Sequence, residues 1–481
     1  MSTAGKGDQG GKAPGCELLF AGGASWSMVG RSQKPASWDG VEDLQVNTFS
    51  RIKPLMGVPI RKVITGCNSN HILAITMDSK ALVWGRNEDA QLGLGDFTNR
   101  YHPTHVQDVA NAVDGCCGMG HTMILTRDHA VYAAGRNDNG QCGVGRTSKH
   151  VTGYKPVVGG IVAVNCSAGR NFSIIIDSNG RVFAMGCPDH GQLGNNTDGR
   201  MLERAGKITF RNESSPIPVS SPDIIGIKMA KAACGANHTC TMDEEGRLFT
   251  WGFGGYGQLG HGDNKNQMEP KAIAFFNNDV PEKPPGVPSF LWRPPPKVRA
   301  ISIASGTSCT YAIANRQVLY MWGITKKSGE STMAPAVFEG LSGWKCRGVA
   351  TGNSATIVIS GTSTITWGPG PTWGELAYGE GGPKSSARTK KAECMEGVAA
   401  AQVAMGSNMS LVLVPQLEEN KEFLESVPVL DQEELVPGAG GGSGAGSSKG
   451  TKTKSKSRKK KAATADEDTK PPKKKTSKKK K

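Results

Sequence analysis

Along most of the chain, short runs that alternate apolar and polar residues are broken at close intervals by turn-forming residues. His71–Met77 (HILAITM) and Ser173–Gly186 (SIIIDSNGRVFAMG) show the period of two expected of half-buried β-strands. Asp177-Ser178-Asn179-Gly180 and Glu245-Gly246 supply hairpin chemistry, since Gly and Asn tolerate positive φ. No stretch sustains a helical period, and no apolar run approaches the roughly 18 residues needed to cross a bilayer, so no membrane association is expected. The first residues (MSTAGKGDQGGKAPG) lack the apolar core of a signal peptide.

The strand pattern repeats. Read loosely, a unit holds an apolar run, a turn, three apolar residues ending in Trp-Gly or its equivalent, and then a Gln-Leu-Gly-x-Gly turn. Six copies span Val63–Asp96, Val113–Gly145, Val164–Asn195, Ala232–Asp263, Ile303–Ser331 and Val349–Glu380. Their signature glycines are Gly85, Gly135, Gly186, Gly252, Gly323 and Gly368, spaced by 50, 51, 66, 71 and 45 residues. A period near 50 belongs to propeller blades rather than to helical solenoids. The two long intervals are assigned to insertions at Gly199–Pro222 and at the proline-rich Phe275–Pro296.

The ends predict closure. Gln402–Pro415 reads as the first half of a unit, and Leu18–Arg31 as an orphan second half. Joined, they make a seventh blade and remove the sheet edges that an open array would leave. The expected fold is therefore all-β: a seven-bladed β-propeller over residues 18–415, sealed by N- and C-terminal strands. Residues 1–17 are expected to be disordered. Residues 416–437 form an acidic segment with room for one short helix, and residues 438–481 a Gly/Ser linker followed by a disordered lysine-rich tail.

Charge sharpens this division. The whole chain carries a formal +15, but Lys449–Lys481 holds sixteen Lys/Arg against three acids, leaving 41 against 39 in the first 448 residues. The body is near neutral and the basic character lies in the tail. Two clusters stand out: Lys452, Lys454, Lys456, Arg458, Lys459, Lys460 and Lys461, then Lys473, Lys474, Lys475, Lys478, Lys479, Lys480 and Lys481. They suit nuclear import or an electrostatic grip on chromatin, nucleic acid or another polyanion. Without interleaved aromatics such a tail does not read sequence, and the bland alternative is a solvated tail with no partner. The acidic segment could mask it intramolecularly.

Twelve cysteines include no Cys-x-x-Cys pair, which argues against a disulfide framework and for a reducing compartment. Gly252-x-Gly254-x-x-Gly257 formally matches a dinucleotide fingerprint, but the following Gln258-Leu259-Gly260-His261-Gly262 is another turn where a helix is required. His71, His121 and His238 recur at one place in three units, with Phe172 or Ser308 as equivalents elsewhere. A ring of metal ligands would spread them too far apart, so a turn-stabilising hydrogen bond within each blade is expected. No catalytic constellation, metal site or cofactor site stands out.

The units WGRNEDAQLGLGD and CGANHTCTMDEEGRLFTWGFGGYGQLGHGD resemble repeats of the regulator of chromosome condensation family. LLFAGGASWSMVGR, MGCPDHGQLGNNTDG and WGPGPTWGELAYGEGGPKSS strengthen the likeness, which covers about Leu18–Val414. The resemblance implies a seven-bladed propeller and guanine-nucleotide exchange on, or regulation of, small GTPases. It further implies chromatin and microtubule association, and action in the nucleus and at the mitotic spindle, with a cytoplasmic pool besides. The founding exchange factor replaces one Gln-Leu-Gly turn by a wedge, whereas this chain keeps Gln192-Leu193-Gly194 in its third unit. Exchange requires no proton-transfer groups, only a surface that favours the nucleotide-free GTPase.

Overall fold

The computed structural model describes residues 14–31, 33, 44–202, 208–278, 297–325, 329–370 and 373–431. All of these described residues belong to one compact unit. The lysine clusters of the tail lie outside the described residues.

Seven four-stranded antiparallel blades form a closed ring. In blade 1 the strands are Ile60–Ile64, His71–Thr76, Ala81–Gly85 and Arg100–His105, from the axis outwards. Blades 2 to 6 repeat this order. The seventh takes Gln402–Met405 and Met409–Pro415 from one end of the chain, and Cys16–Gly23 and Gln45–Ile52 from the other. Cys16–Gly23 and Met409–Pro415 pair over their whole length, from Cys16 opposite Pro415 to Gly22 opposite Met409. The joint expected from the two half-units is thus present, starting at Cys16, two residues earlier than the sequence boundary. A buried ion pair, Arg51 Nε to Glu17 Oε1 at 2.5 Å, ties its two N-terminal strands.

The segment after Pro415 stays on the ring. Glu418–Ser426 is helical, and Leu424 and Val427 enter the core shared by blade 6 and the closure blade. Val429–Leu430 then adds a parallel strand outside Gln45–Ile52, with Arg51 N donating to Pro428 O at 2.8 Å.

Spacing alone misplaced parts of both insertions. Within Gly199–Pro222, Glu213–Val219 is the outer strand of blade 3, paired with Val182–Gly186. The real insertion is a small hairpin, Arg200–Leu202 against Ile208–Phe210. The polar, proline-bearing ESSPIPV concealed this strand, because an outer strand needs few apolar residues and tolerates proline. In the second region, Ala274–Asn277 forms a helical turn that buries Phe276 beside Trp322. The remainder, 279–296, lies outside the described residues.

What closes the ring is close approach at the axis. A glycine follows each first strand by one or two residues, and a Cβ there would strike the next blade: Gly66 the Cys117 carbonyl, Gly118 that of Gly169 at 2.7 Å, and Gly169 that of Gly235 at 2.7 Å. Gly235, Gly306 and Gly352 continue the circuit, and Gly406 completes it against Ser69 O at 2.9 Å. The axis-facing edges of the first strands find partners across blades: Asn165 Oδ1 accepts from Ala232 N at 2.9 Å, and Ser167 Oγ from Cys234 N at 2.9 Å. Gln402 bridges Val63 N and O at 3.2 and 2.6 Å. Inner sheet edges would otherwise leave these groups unsatisfied.

At His71 the expected bond within the blade is present, Nδ1 to Ser69 Oγ of its own turn at 2.9 Å, but the bond that all three histidines share is a different one. His71 Nε2 reaches Thr122 Oγ1 at 2.8 Å, His121 Nε2 reaches Ser173 Oγ at 2.8 Å, and His238 Nε2 reaches Thr310 Oγ1 at 2.9 Å. Each crosses to the following blade. The ring can do so because it lies over the axial glycine: a Cβ on Gly118 or Gly235 would meet the imidazole of His121 or His238. In blade 5 the equivalent residue is Cys309, which pairs with Gly323, and not Ser308. The signature glycines sit at or next to the end of each third strand, directly against this position, with φ near +113° at Gly85 and Gly186.

Two predictions follow from the seams. Burial holds the imidazoles neutral, lowering His71 and His238 to about 3 and His121 to about 4. An unfolded chain takes up these protons near pH 6.5, so stability is complete above that pH and falls as pH drops toward 4. Urea midpoints should decline over this window, and His121→Gln should flatten the slope by up to about 1.4 kcal/mol per pH unit. Gly118→Ala should cost about 1–3 kcal/mol in the same assay at pH 7.5, by overpacking the axis.

Candidate protein-interaction face

Because the strands alternate in direction, the turns after the first strands and the loops after the third open on one face of the ring. The loops are anchored by a repeated device. The Gln91, Gln141, Gln192, Gln258 and Glu375 carbonyls accept hydroxyl hydrogens from Thr122, Ser173, Thr239, Thr310 and Ser410 of the next blade, at 2.5–3.2 Å. The following residue, Leu92, Cys142, Leu193, Leu259 or Leu376, is buried in the seam. Three residues further, the N–H of Gly95, Gly145, Asn196, Gly262 or Gly379 donates to the next blade's outer strand at 2.8–2.9 Å, at Thr152, Ser214, Met268, Met333 and Asn47. The glutamine side chains turn back to cap their own loops, as with Gln258 Oε1 and Tyr256 N at 2.9 Å. The glycines of the formal dinucleotide fingerprint, Gly252, Gly254 and Gly257, belong to this turn, and no helix follows them.

On this stiff base the hairpin of blade 3 stands out. Leu202 is 77% exposed, Ile208 52%, Met201 46% and Phe210 38%. Single exposed apolar residues carry no message, but four together on one projecting hairpin do. Its root is held by Arg211 N to Gly199 O at 2.8 Å and by Asn212 Nδ2 to Asn139 Oδ1 of blade 2 at 3.2 Å. Arg200 and Arg211 flank it, each near an acid, Asp198 at 3.5 Å and Glu213 at 3.9 Å. Two strands of three residues have little stability of their own, so a partner can shape them.

An aromatic group lies beside the same loop. His190 is 5.0 Å from Phe253 of blade 4, and Phe253 is 5.4 Å from the exposed Tyr256. Toward blades 1 and 2 the face carries acids set among arginines, with Glu88 paired to Arg31. Asp138 pairs with Arg136 at 2.8 Å, and burial raises the Asp89 carboxyl above its ordinary value.

The axial channel offers a different chemistry. Its cavity of about 300 Å³ is lined by Cys67, Cys116, Cys117, Cys166 and Cys234. The cysteines are free, and burial pushes Cys67 and Cys234 up to about 12. Such thiols are poor nucleophiles. Among the described residues no cluster of three or more His, Cys, Asp or Glu could hold a metal ion. The recurring histidines serve the seams, and the hairpin, which only an anomalous spacing hinted at, is the feature that sequence reasoning did not resolve.

Known proteins agree with this architecture. The repeat described as "Regulator of chromosome condensation (RCC1) repeat" matches residues 78–125, 179–242 and 245–313, and a second form of it matches 112–141, 161–192 and 230–258. Protein RCC2 of Homo sapiens is 36% identical over 436 residues, covering 87% of this chain and 80% of its own. The RCC2 homolog of Danio rerio is 36% identical over 433 residues, covering 86% and 83%. Among solved structures, human WBSCR16 superposes with a TM-score of 0.64 at 18% identity, covering 83% of this chain and 98% of that one. Prp20p of Saccharomyces cerevisiae gives 0.63 at 17%, covering 86% and 94%. The two structures share the fold, and the identity to the RCC2 relatives shows descent: this chain belongs to the regulator of chromosome condensation (RCC1) repeat family, as an RCC2-like member.

Proposed function

We propose that the ring is an interaction scaffold that holds a small GTPase through the blade 3 hairpin and its aromatic neighbours, while the lysine-rich tail grips chromatin or another polyanion. The observation that carries this reading is the exposed apolar hairpin on a rigid ring. Loops fixed on stiff scaffolds commonly carry recognition. Prp20p is described by its binding to Gsp1p and histones, which supports the same two kinds of partner here. Regulation of the GTPase takes the form of exchange if the ring prefers its nucleotide-free state. Under this reading the protein works in the nucleus and on mitotic chromosomes, with the clusters Lys452–Lys461 and Lys473–Lys481 serving import and tethering. Microtubule association rests on the family resemblance alone.

The GTPase arm is tested by fluorescent-nucleotide release from a panel of small GTPases with the full chain. One member should release faster, and Leu202→Ser with Ile208→Ser should reduce the acceleration by roughly tenfold or more without lowering stability, since both side chains are exposed. No acceleration on any member would remove exchange and leave a scaffold. The tail arm is read from DNA binding. The full chain should lose more than about tenfold in affinity between about 50 and about 200 mM salt, and a chain ending at Val436 should bind only weakly at low salt. Equal binding by the truncated chain would end the tether.

A further inference from the structure

Five of the seven seams between blades are filled by one rule; the seam from blade 7 to blade 1, where Ile72 stands in place of the hydroxyl, and the seam from blade 5 to blade 6 depart from it. In five blades the loop after the third strand supplies a carbonyl, then a buried apolar side chain, then an N–H three residues on. Blade 5 has no such loop. Between the paired residues Gly323 and Thr332 lie only eight residues, against fourteen between Gly85 and Arg100 and fourteen between Gly252 and Gln267. The sequence there, Ile324-Thr-Lys-Lys-Ser-Gly-Glu-Ser331, contains no Gln-Leu-Gly.

The receiving wall on blade 6 is nevertheless intact. Thr356 stands where Thr122, Ser173, Thr239, Thr310 and Ser410 stand, each opposite the residue just before the glycine that ends the third strand's pairing. Those hydroxyls donate to a loop carbonyl. Among the described residues the buried Thr356 hydroxyl instead makes long contacts, donating to Tyr311 Oη at 3.4 Å and to Thr351 Oγ1 at 3.3 Å. Trp367 occupies the place of Trp251, whose indole N–H shares the Gln192 carbonyl at 2.9 Å. On the outer strand, Ala387 follows the Ser386–Gly368 pair as Met268 follows Gln267–Gly252, and Met268 is a residue whose carbonyl receives the loop N–H. No loop N–H of blade 5 among the described residues reaches Ala387.

Among the described residues two cavities flank this seam. A cavity of about 260 Å³ is bounded by Cys309, Tyr311, Ile324, Thr356 and Trp367. A second, of about 680 Å³, extends outwards past Phe338, Ala387 and Arg388, and Thr325 lines both. Together they have the dimensions of a ligand site. The cleft is continuous with the interfaces between the other blades and repeats their donors and acceptors, which specifies its occupant.

We propose that the seam between blades 5 and 6 is a docking site for a leucine-bearing turn of a partner protein, which completes the seam as the ring's own Gln-Leu-Gly loops complete the others. The partner's five-residue segment gives a carbonyl to Thr356, buries the next side chain against Tyr311 and Trp367, and gives an N–H to Ala387. Binding adds main-chain hydrogen bonds to burial of one aliphatic side chain in a preformed slot. This site is independent of the hairpin and of any GTPase, so either reading can fail without the other.

The probe is a cyclised, fluorescently labelled peptide carrying the blade 4 turn, Tyr256–Gly262 (YGQLGHG), titrated against the full-length protein by anisotropy. Saturable binding is expected, weakened at least about tenfold when the peptide's leucine is serine, as loss of a buried leucine side chain requires. In the protein, Thr356→Val should weaken binding severalfold. Replacing Thr325–Glu330 by the sequence of Phe253–Asn266 should abolish it and raise the thermal midpoint, because the seam is then filled in cis. Hydrogen exchange should slow at residues 351–356 and 386–389 on peptide addition. Absence of saturable binding, equal binding of the leucine and serine peptides, or undiminished binding by the loop-grafted protein would each overturn the proposal. If the graft fails to fold, the serine peptide and Thr356→Val still decide it.

Discussion

The structure depends on how one blade grips the next. A blade is a small twisted sheet with a free inner edge and two apolar faces, and it has no reason to persist alone. The contact that makes a ring of seven such sheets combines steric, apolar and polar parts at one place. A side-chain-free residue lets the backbones meet at the axis, an imidazole laid over it reaches a neighbouring hydroxyl, and the hydroxyl donates to a loop carbonyl whose next side chain fills the gap. These parts are interdependent. Without Gly118 the His121 ring has nowhere to lie, and without the ring Ser173 has one partner fewer.

This coupling explains why the signature residues look functional in sequence. Histidines at fixed places, short glycine-rich motifs and buried thiols are the vocabulary of metal and nucleotide sites. Here they are buried for packing: the imidazoles are kept neutral, the thiols protonated, and the glycine-rich motif is a plug. The residues free to meet a partner are those the repeat does not need, such as the hairpin after Gly199 and the aromatics at His190, Phe253 and Tyr256.

The fold was legible because it is repetitive. A period of about 50, alternating strands and two complementary half-units sufficed for seven blades and their closure. Detail failed where the local signal was weak. Glu213–Val219 carries two prolines and little apolar character, and it pairs only because Val182–Gly186 offers it an edge. The histidine bonds were assigned to single blades because sequence shows the repeat but not the neighbour. The fifth unit counts as a full copy by its strands, and that its connection is short and lacks Gln-Leu-Gly takes on meaning only once the structure shows what the other loops fill.

The joint between the chain ends sets a schedule for synthesis. The strand Cys16–Gly23 is bordered on its inner side by Met409–Pro415, which leaves the ribosome almost 400 residues later. At about 5–20 residues per second that is roughly 20 to 80 seconds during which its apolar residues Leu18, Leu19 and Phe20 wait for that neighbour. The last step of folding is a contact between the earliest and latest parts of the propeller, and until it occurs the nascent ring presents adhesive edges to whatever surrounds it. Chaperone capture of the nascent chain should therefore persist until the final strand has emerged, and a release defect should follow damage to Met409–Pro415.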